Sequence, residues 1–236
     1  MIIKVVSLNI WLGGFLLDNA VEFLKKQNAD IVLLQEVFDG QVTSLEPRYR
    51  TMEVIKSQLG LPYWAFTPNY DQPDKHAKIG VAVFSRFPIS TPATITDRPT
   101  SYNLQHTIVD TTDGEVDILN IHGPWDLDGD RFSPMRRDMA RLIRELIEGR
   151  MRVILAGDTN AKSTNKVFDV IGEHLKSVYG IELTTTFNMR QKSDVGYTTA
   201  AVDAMFISRS MQVVKHDCPG VNVSDHLPLV ASIDLA

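Results

Sequence analysis

Short apolar runs of strand length recur along the chain, interleaved with segments whose apolar residues return every three or four positions. Ile2 to Leu8 is a β-branched run and predicts a buried strand. Asp18 is placed to cap a helix whose apolar face carries Val21 and Leu24 and which ends near Asn28. Ile31 to Leu34 predicts a second buried strand, and Pro47 to Leu59 a helix stopped by Gly60 and Pro62. A strand over Tyr63 to Thr67 leads into a polar loop, PNYDQPDKHAK. From Gly80 the segments IGVAVFSRFPI, NLQHTIVDT and EVDILNIH predict successive antiparallel strands, with Thr112, Asp113 and Gly114 at a hairpin turn. The clearest helix is SPMRRDMARLIRELIEG. Ser133 suits the N-cap, Pro134 the first turn, and Met139, Leu142, Ile143, Leu146 and Ile147 form one stripe. Beyond it come a strand, RVILAGD, a short helix over Asn165 to Leu175, and three more strands, AAVDAMFIS, MQVVKHD and LPLVASIDL. Two sheets with helices outside account for this mixture better than one parallel sheet.

The 236 residues are 44% hydrophobic and 22% charged, ordinary for a chain with a real core. No linker tract, low-complexity run or repeat divides them, so one domain over residues 1–236 is expected. The net charge of −5 argues against indiscriminate coating of nucleic acid. It leaves room for a local basic site, or for one whose positive charge comes from a metal. The one cysteine, Cys218, excludes an intrachain disulfide and a cysteine zinc cage. The segment MIIKVVSLNIW reads directly as a strand and not as a leader, and no apolar run approaches the ~18 residues of a membrane span. A cytoplasmic monomer with no obligate protein partner is the expectation.

The strand ends add chemistry. Predicted strands stop on Asn9, on Gln35 and Glu36, on Asn120 and His122, and on Asp158 and Asn160. Asp203 sits inside an apolar strand, and Asp225-His226 precedes the last one. A carboxylate and an imidazole at such a place are costly to bury unless both are paired or bound. Each residue alone has an ordinary reading. Asn9 suits a turn, Glu36 a solvated charge, Asp158-Thr159-Asn160 a turn or helix cap, and His122 a structural histidine. Strand ends of one polarity gather at one rim of a sheet sandwich, however, so the set can converge. It then holds carboxylates, amides and two imidazoles, with no obvious serine or cysteine nucleophile. Such oxygen donors suit Mg²⁺ or Mn²⁺, and a hard cation beside a histidine base suits hydrolysis of phosphate esters.

In chain order the segments SLNIW, LLQEV, GVAVFSRFPI, NIH, AGDTN, VDAMF and SDHLPL run from the first predicted strand to the last. This ordered set resembles the endonuclease/exonuclease/phosphatase superfamily, the deoxyribonuclease I-like phosphoesterases. The resemblance implies an α/β fold, a four-layer α/β/β/α sandwich of two mixed β-sheets flanked by helices, with the site at one edge. It implies Glu36 as the principal metal-ligating carboxylate, with Asn9 beside it. Asp158 and Asn160 are implied to orient the nucleophilic water and the phosphate, with Asp158 also reaching the metal, and Asp225 lies in the metal shell directly or through water. His226 is the implied general base, and Asp203 the carboxylate that fixes its tautomer. His122 is implied to donate to a non-bridging phosphate oxygen or to assist the leaving group. The implied step is in-line attack of water on phosphorus without a covalent enzyme intermediate.

Apurinic-site endonucleases of the superfamily carry a Tyr-x-Pro-Asn-like segment where this chain has a histidine after DILN, which argues against abasic-site repair. Ala156 before Gly157, and TTAAVDAMF where inositol polyphosphate phosphatases show Pro-x-Trp-Cys-Asp-Arg, disfavour that branch. Nothing supports the longer, secreted or membrane-associated sphingomyelinases. The expected substrate is DNA or another phosphodiester. The alternative enzyme is a phosphatase or phosphodiesterase acting on a small phosphorylated metabolite or lipid headgroup. A catalytically dead binding module is disfavoured, because Glu36, Asp158, Asn160, Asp203 and His226 are all present. Around the site, Trp125 and Phe132 either stack on a base or pack, and Arg131 and Arg136 either meet phosphates or sit at a solvated helix start. Lys75, His76 and Lys78, and likewise Arg190 and Lys192, are either backbone contacts or ordinary exposed loop. Tyr197 and Trp11 are candidate stackers.

Overall fold

The computed structural model describes residues 1–94, 102–126 and 131–236. The middle of the GPWDLDGDRFSPMRR loop, residues 127–130, therefore lies outside the described residues. Two six-stranded sheets pack face to face. In spatial order the first contains Gln212–Asp217 (β11), Leu229–Asp234 (β12), Ile2–Asn9 (β1), Ile31–Gly40 (β2), Ala77–Ser85 (β4) and Tyr63–Gln72 (β3). The second contains Ile89–Thr94 (β5), Asn103–Thr111 (β6), Gly114–His122 (β7), Val153–Asp158 (β8), Asp203–Ser208 (β10) and Leu175–Ser177 (β9). Each sheet has a parallel pair at its centre, β1 with β2 and β7 with β8, and antiparallel pairs elsewhere. A parallel pair needs a crossover. Helix α1 (Leu17–Gln27) supplies it between β1 and β2, and α3 (Pro134–Ile147) between β7 and β8. Helices α2 (Thr51–Leu59) and α4 (Val167–Gly172) complete the outer layers.

Because side chains on a strand alternate faces, the central strands are apolar on both. Val5, Leu33, Ile118 and Ile154 point between the sheets. Their neighbours Val6 and Leu34 pack outward with Leu24 of α1 and Ile55 of α2. Leu119 and Leu155 pack outward with Met139 and Ile143 of α3. The result is the α/β/β/α sandwich of two mixed sheets. Ser133 caps α3 by accepting from the Arg136 N–H, as its position predicts.

Several boundaries differ from the pattern, each for a local reason. Asp18 lies inside the first turn of α1, where it makes no side-chain cap and favours the helix through the dipole. The predicted Pro47–Leu59 helix begins as a 3₁₀ turn over Pro47–Arg50 before the α-helix starts. The helix expected over Asn165 to Leu175 is confined to α4, because the Asn165 side chain accepts from Val167 N–H and Leu175 joins β9. The segment expected as a polar loop after Thr67 continues β3 to Gln72. It is an edge strand, so it tolerates Pro68 at a bulge and polar side chains on its open side. Among the described residues, no helix is long and apolar enough to cross a membrane.

Candidate active site

The site lies where the two central parallel pairs end. Their registers set Asn9 beside Gln35 and His122 beside Asp158, and antiparallel pairing sets Asp203 beside Asp158. Three local departures aim these residues. A bulge in β2 between Leu34 and Val37 leaves Glu36 at φ 60°, which breaks the strand alternation. Its side chain is then caught by the Leu12 N–H at 2.6 Å, and its carbonyl by the Gly13 N–H at 2.8 Å. Gly157, at φ 144°, lets β7 and β8 close up, since a Cβ there would stand 2.0 Å from the Ile121 carbonyl oxygen. Asn160 takes the left-handed region at φ 51°, and its N–H donates to Asp158 Oδ1 at 2.8 Å.

One nitrogen joins the sheets at this rim. Asn9 Nδ2 donates to Glu36 Oε1 and to Asp158 Oδ2, both at 3.0 Å, while Asn9 Oδ1 accepts from the Trp11 N–H at 3.0 Å. Asn9 thus turns its N–H groups, not its oxygen, to the carboxylates. His122 Nε2 stands 3.7 Å from Glu36 Oε1 and 3.8 Å from Asp158 Oδ2. On the other side of Asp158, His226 Nε2 lies 3.8 Å from the same Oδ2. The His226 Nδ1 bonds Asp203 Oδ2 at 2.8 Å, which puts its proton on Nδ1 and leaves Nε2 facing Asp158. Burial alone would lower the His226 pKa, but the carboxylates of Asp203, Asp158 and Asp225 outweigh it and raise it to about 10. Burial raises the Asp203 carboxyl, and the imidazole opposite pulls it back only in part.

The surrounding residues sort by what they touch. Asp225 Oδ2 is paired with Lys192 Nζ at 2.6 Å, and its Oδ1 lies 3.2 Å from Ser224 Oγ. Asn160 Nδ2 is committed to the Gly123 carbonyl at 3.1 Å. Arg136, weighed above as a phosphate contact, is fully buried, and its guanidinium donates to the carbonyls of Arg131 and Asn160. It fixes the Asn160 turn and does not face a substrate. Phe132 packs against the α3 core and is not free to stack on a base. Lys75 pairs with Asp74, and His76 and Lys78 line a separate surface hollow without any of the site residues. The Arg131 side chain is exposed. Trp125 is 71% exposed and borders a cavity of about 410 Å³ shared with Asn160, Phe187, Tyr197 and Val202. Trp11 packs against Phe15 in a tilted arrangement, 4.8 Å between centroids. Gln35 and Asn120, polar strand-end residues like the rest, bond each other at 2.7 Å beneath the site, and Asn120 also reaches the Leu34 and Ala82 carbonyls. They pin sheet to sheet.

Three supports were not legible. Thr186 Oγ1 accepts from the Val202 and Asp203 N–H groups. The Phe187 ring packs 4.8 Å from the His226 ring. Ser224 Oγ donates to the Asn9 carbonyl at 2.6 Å. Only the nearness of Ser224 to Asp225-His226 carried a signal.

The donor set fits a hard divalent cation, because Glu36 and Asp158 offer oxygens at the cleft with no lysine or arginine paired to them among the described residues. Asp158, Asp203 and His226 also place one donor atom each within 4.8 Å of one another. Asp203 and His226 are already committed to each other, so the Glu36 side of Asp158 is the better cradle.

Solved structures share the fold across the whole chain. An endonuclease/exonuclease/phosphatase from Beutenbergia cavernae superposes with a TM-score of 0.78 at 16% identity, covering 100% of this chain and 72% of that one. The human Nocturnin catalytic domain with bound sulfate gives 0.73 at 19% identity, covering 100% and 95%. A mannosyl-6-phosphatase from Bacteroides thetaiotaomicron gives 0.73 at 19% identity, covering 98% and 99%. No curated protein sequence matches the chain. A model of the Endonuclease/Exonuclease/phosphatase family matches residues 6–226, and the chain belongs to that family.

Proposed function

We propose that the protein is a metal-dependent phosphoesterase that hydrolyses phosphodiesters, with DNA as the first substrate class, by attack of a water that His226 deprotonates. The observation that carries this reading is the line of contacts from Asp203 through His226 to Asp158, and through Asn9 to Glu36. Glu36 and Asp158 would hold Mg²⁺ or Mn²⁺, with Asn9 keeping the two carboxylates in place. When bound, such a cation offsets charge on the phosphate and its leaving oxygen. Asp203 holds the imidazole so that Nε2 is the free base, and its negative charge stabilises the imidazolium when the ring gains a proton. The nearby cation also counters the carboxylates that raise His226, bringing the ring toward the neutral form a base requires. His122 is placed to donate to a phosphate oxygen, and Trp125 offers an exposed ring for a base at the rim.

A second reading is a phosphatase for a phosphorylated sugar or other small metabolite. The cavity beside Asn160 favours it, since about 410 Å³ suits a small molecule more than a duplex. A neighbour described as a mannosyl-6-phosphatase has the same fold over nearly its full length. One panel decides between them: plasmid, single-stranded oligonucleotide, 5′-tyrosyl oligonucleotide and sugar and inositol phosphates, each with Mg²⁺ and with EDTA. Turnover of the oligonucleotides, lost in EDTA and reduced at least ~10²-fold in His226→Ala, is the expected result. Near-normal turnover in purified His226→Ala would refute the base assignment, and turnover confined to the sugar phosphates would move the substrate to the second reading.

A further inference from the structure

Asp225 is buried beside the catalytic imidazole, yet its carboxylate is taken. Lys192 Nζ stands 2.6 Å from Oδ2, and the lysine is itself largely covered, with its side chain 26% exposed. This is a built contact and not a surface lysine in passing. Lys192 N–H donates to the Asn188 carbonyl, Asn188 N–H donates to the Asp225 carbonyl at 2.8 Å, and Asn188 Nδ2 donates to the Ser224 carbonyl at 2.8 Å. The loop that carries Lys192 is thereby stitched to the segment that carries Asp225. The ammonium also lies 5.5 Å from the ring centres of both Phe187 and Tyr197, within cation–π reach.

Charge balance then becomes countable. The Asp203 carboxylate is committed to its hydrogen bond with the His226 imidazole, and the Asp225 carboxylate is paired with the Lys192 ammonium. Glu36 and Asp158 share the neutral Asn9 amide, with His122 no nearer than 3.7 Å, and so remain for one divalent ion to offset. We propose that the Lys192 ammonium holds the place a second divalent cation would need at Asp225, so that the centre binds a single metal ion at Glu36 and Asp158. The proposal rests on the metal-dependent reading above and adds the number of ions and the positioning residue that sets it. Removing the lysine while leaving the buried carboxylate creates an unpaired charge that another cation can satisfy.

Calorimetric titration of the metal-stripped full chain with Mn²⁺ reads this directly. The expected stoichiometry is one ion per wild-type chain, one in Lys192→Arg, and two in Lys192→Met, the second weaker. The double variant Lys192→Met with Asp225→Asn returns to one. Two ions of comparable affinity on the wild type overturn the proposal, whatever the variants do. So does a Lys192→Met protein that keeps the wild-type circular dichroism and still binds one ion. Should Lys192→Met fail to fold, Lys192→Gln takes its place with the same two-ion expectation. Absence of any ion on the wild type removes the metal reading itself, an outcome distinct from a count of two.

Discussion

Burial, followed by the Asp203 and Asp217 carboxylates, pushes the Cys218 thiol up to about 12. Tyr179 donates its hydroxyl to the Asp217 and Val230 carbonyls at 2.9 Å, and burial holds its phenol well above the usual range. Both groups are acids that keep their proton in the folded chain at a pH where the unfolded chain releases it. Their contribution to stability is therefore whole below about pH 8.5 and drains away as pH rises toward 12. The urea midpoint is expected to fall between about pH 8 and pH 10.5, and to fall less steeply in Cys218→Ser. Parallel pH slopes for the two proteins would contradict the assignment. At this scale the sequence was a good guide to which polar residues gather at one rim and a poor guide to what they touch. That Asp203 would have a partner was readable, because an aspartate in an apolar strand needs one, but that the partner is His226 came only from the family resemblance. Lys192 was not readable as the partner of Asp225, since a lysine in a polar loop looks the same whether it is solvated or folded back.

Gly157 shows how an element, more than a side chain, sets the site. It sits one residue before Asp158, opposite Ile121 in the parallel pairing, with its φ at 144°. A methyl group there must displace the β7 backbone, because the carbonyl oxygen it would meet is 2.0 Å away. Gly157→Ala is expected to lower stability by about 1–3 kcal/mol, from overpacking and an unfavourable φ together. It should also depress turnover by about 10²-fold, since His122 and Asp158 both ride on the displaced strands. Normal activity in a destabilised variant would show that the strand ends tolerate the shift. Apolar runs that stop on polar residues made β1, β7 and β8 legible with their site residues. The β2 bulge was not, because nothing in LLQEV distinguishes a strand that ends from one that kinks and continues to Gly40. The extension of β3 was hidden for a related reason. An edge strand open on one side has no need of apolar residues, so its pattern resembles a loop.

The whole molecule brings the centre together from both sheets, Asn9 and Glu36 from one and His122, Asp158 and Asp203 from the other. Each sheet alone would hold only half the donors, so the packing of sheet on sheet fixes the spacing across the cleft. The buried Gln35–Asn120 bond beneath it keeps that packing in register. The convergence of strand ends was legible through their shared direction. The amide pin was not, because both amides look like further site residues until their partners are seen. An ion bound between the sheets as proposed would therefore stabilise the fold as well as the chemistry. At a free concentration about 100 times its dissociation constant, one ion adds ~2.7 kcal/mol. For a chain of this length that corresponds to a rise in Tm of roughly 5–11 °C. Scanning fluorimetry with Mg²⁺ or Mn²⁺ against EDTA should show this shift in the wild type and in His226→Ala, which leaves Glu36 and Asp158 untouched. Glu36→Gln should lose it, because a neutral amide replaces the carboxylate facing the ion. A full shift surviving in Glu36→Gln would put the ion elsewhere, and a shift lost equally in His226→Ala would mean that the imidazole is a ligand and not a base.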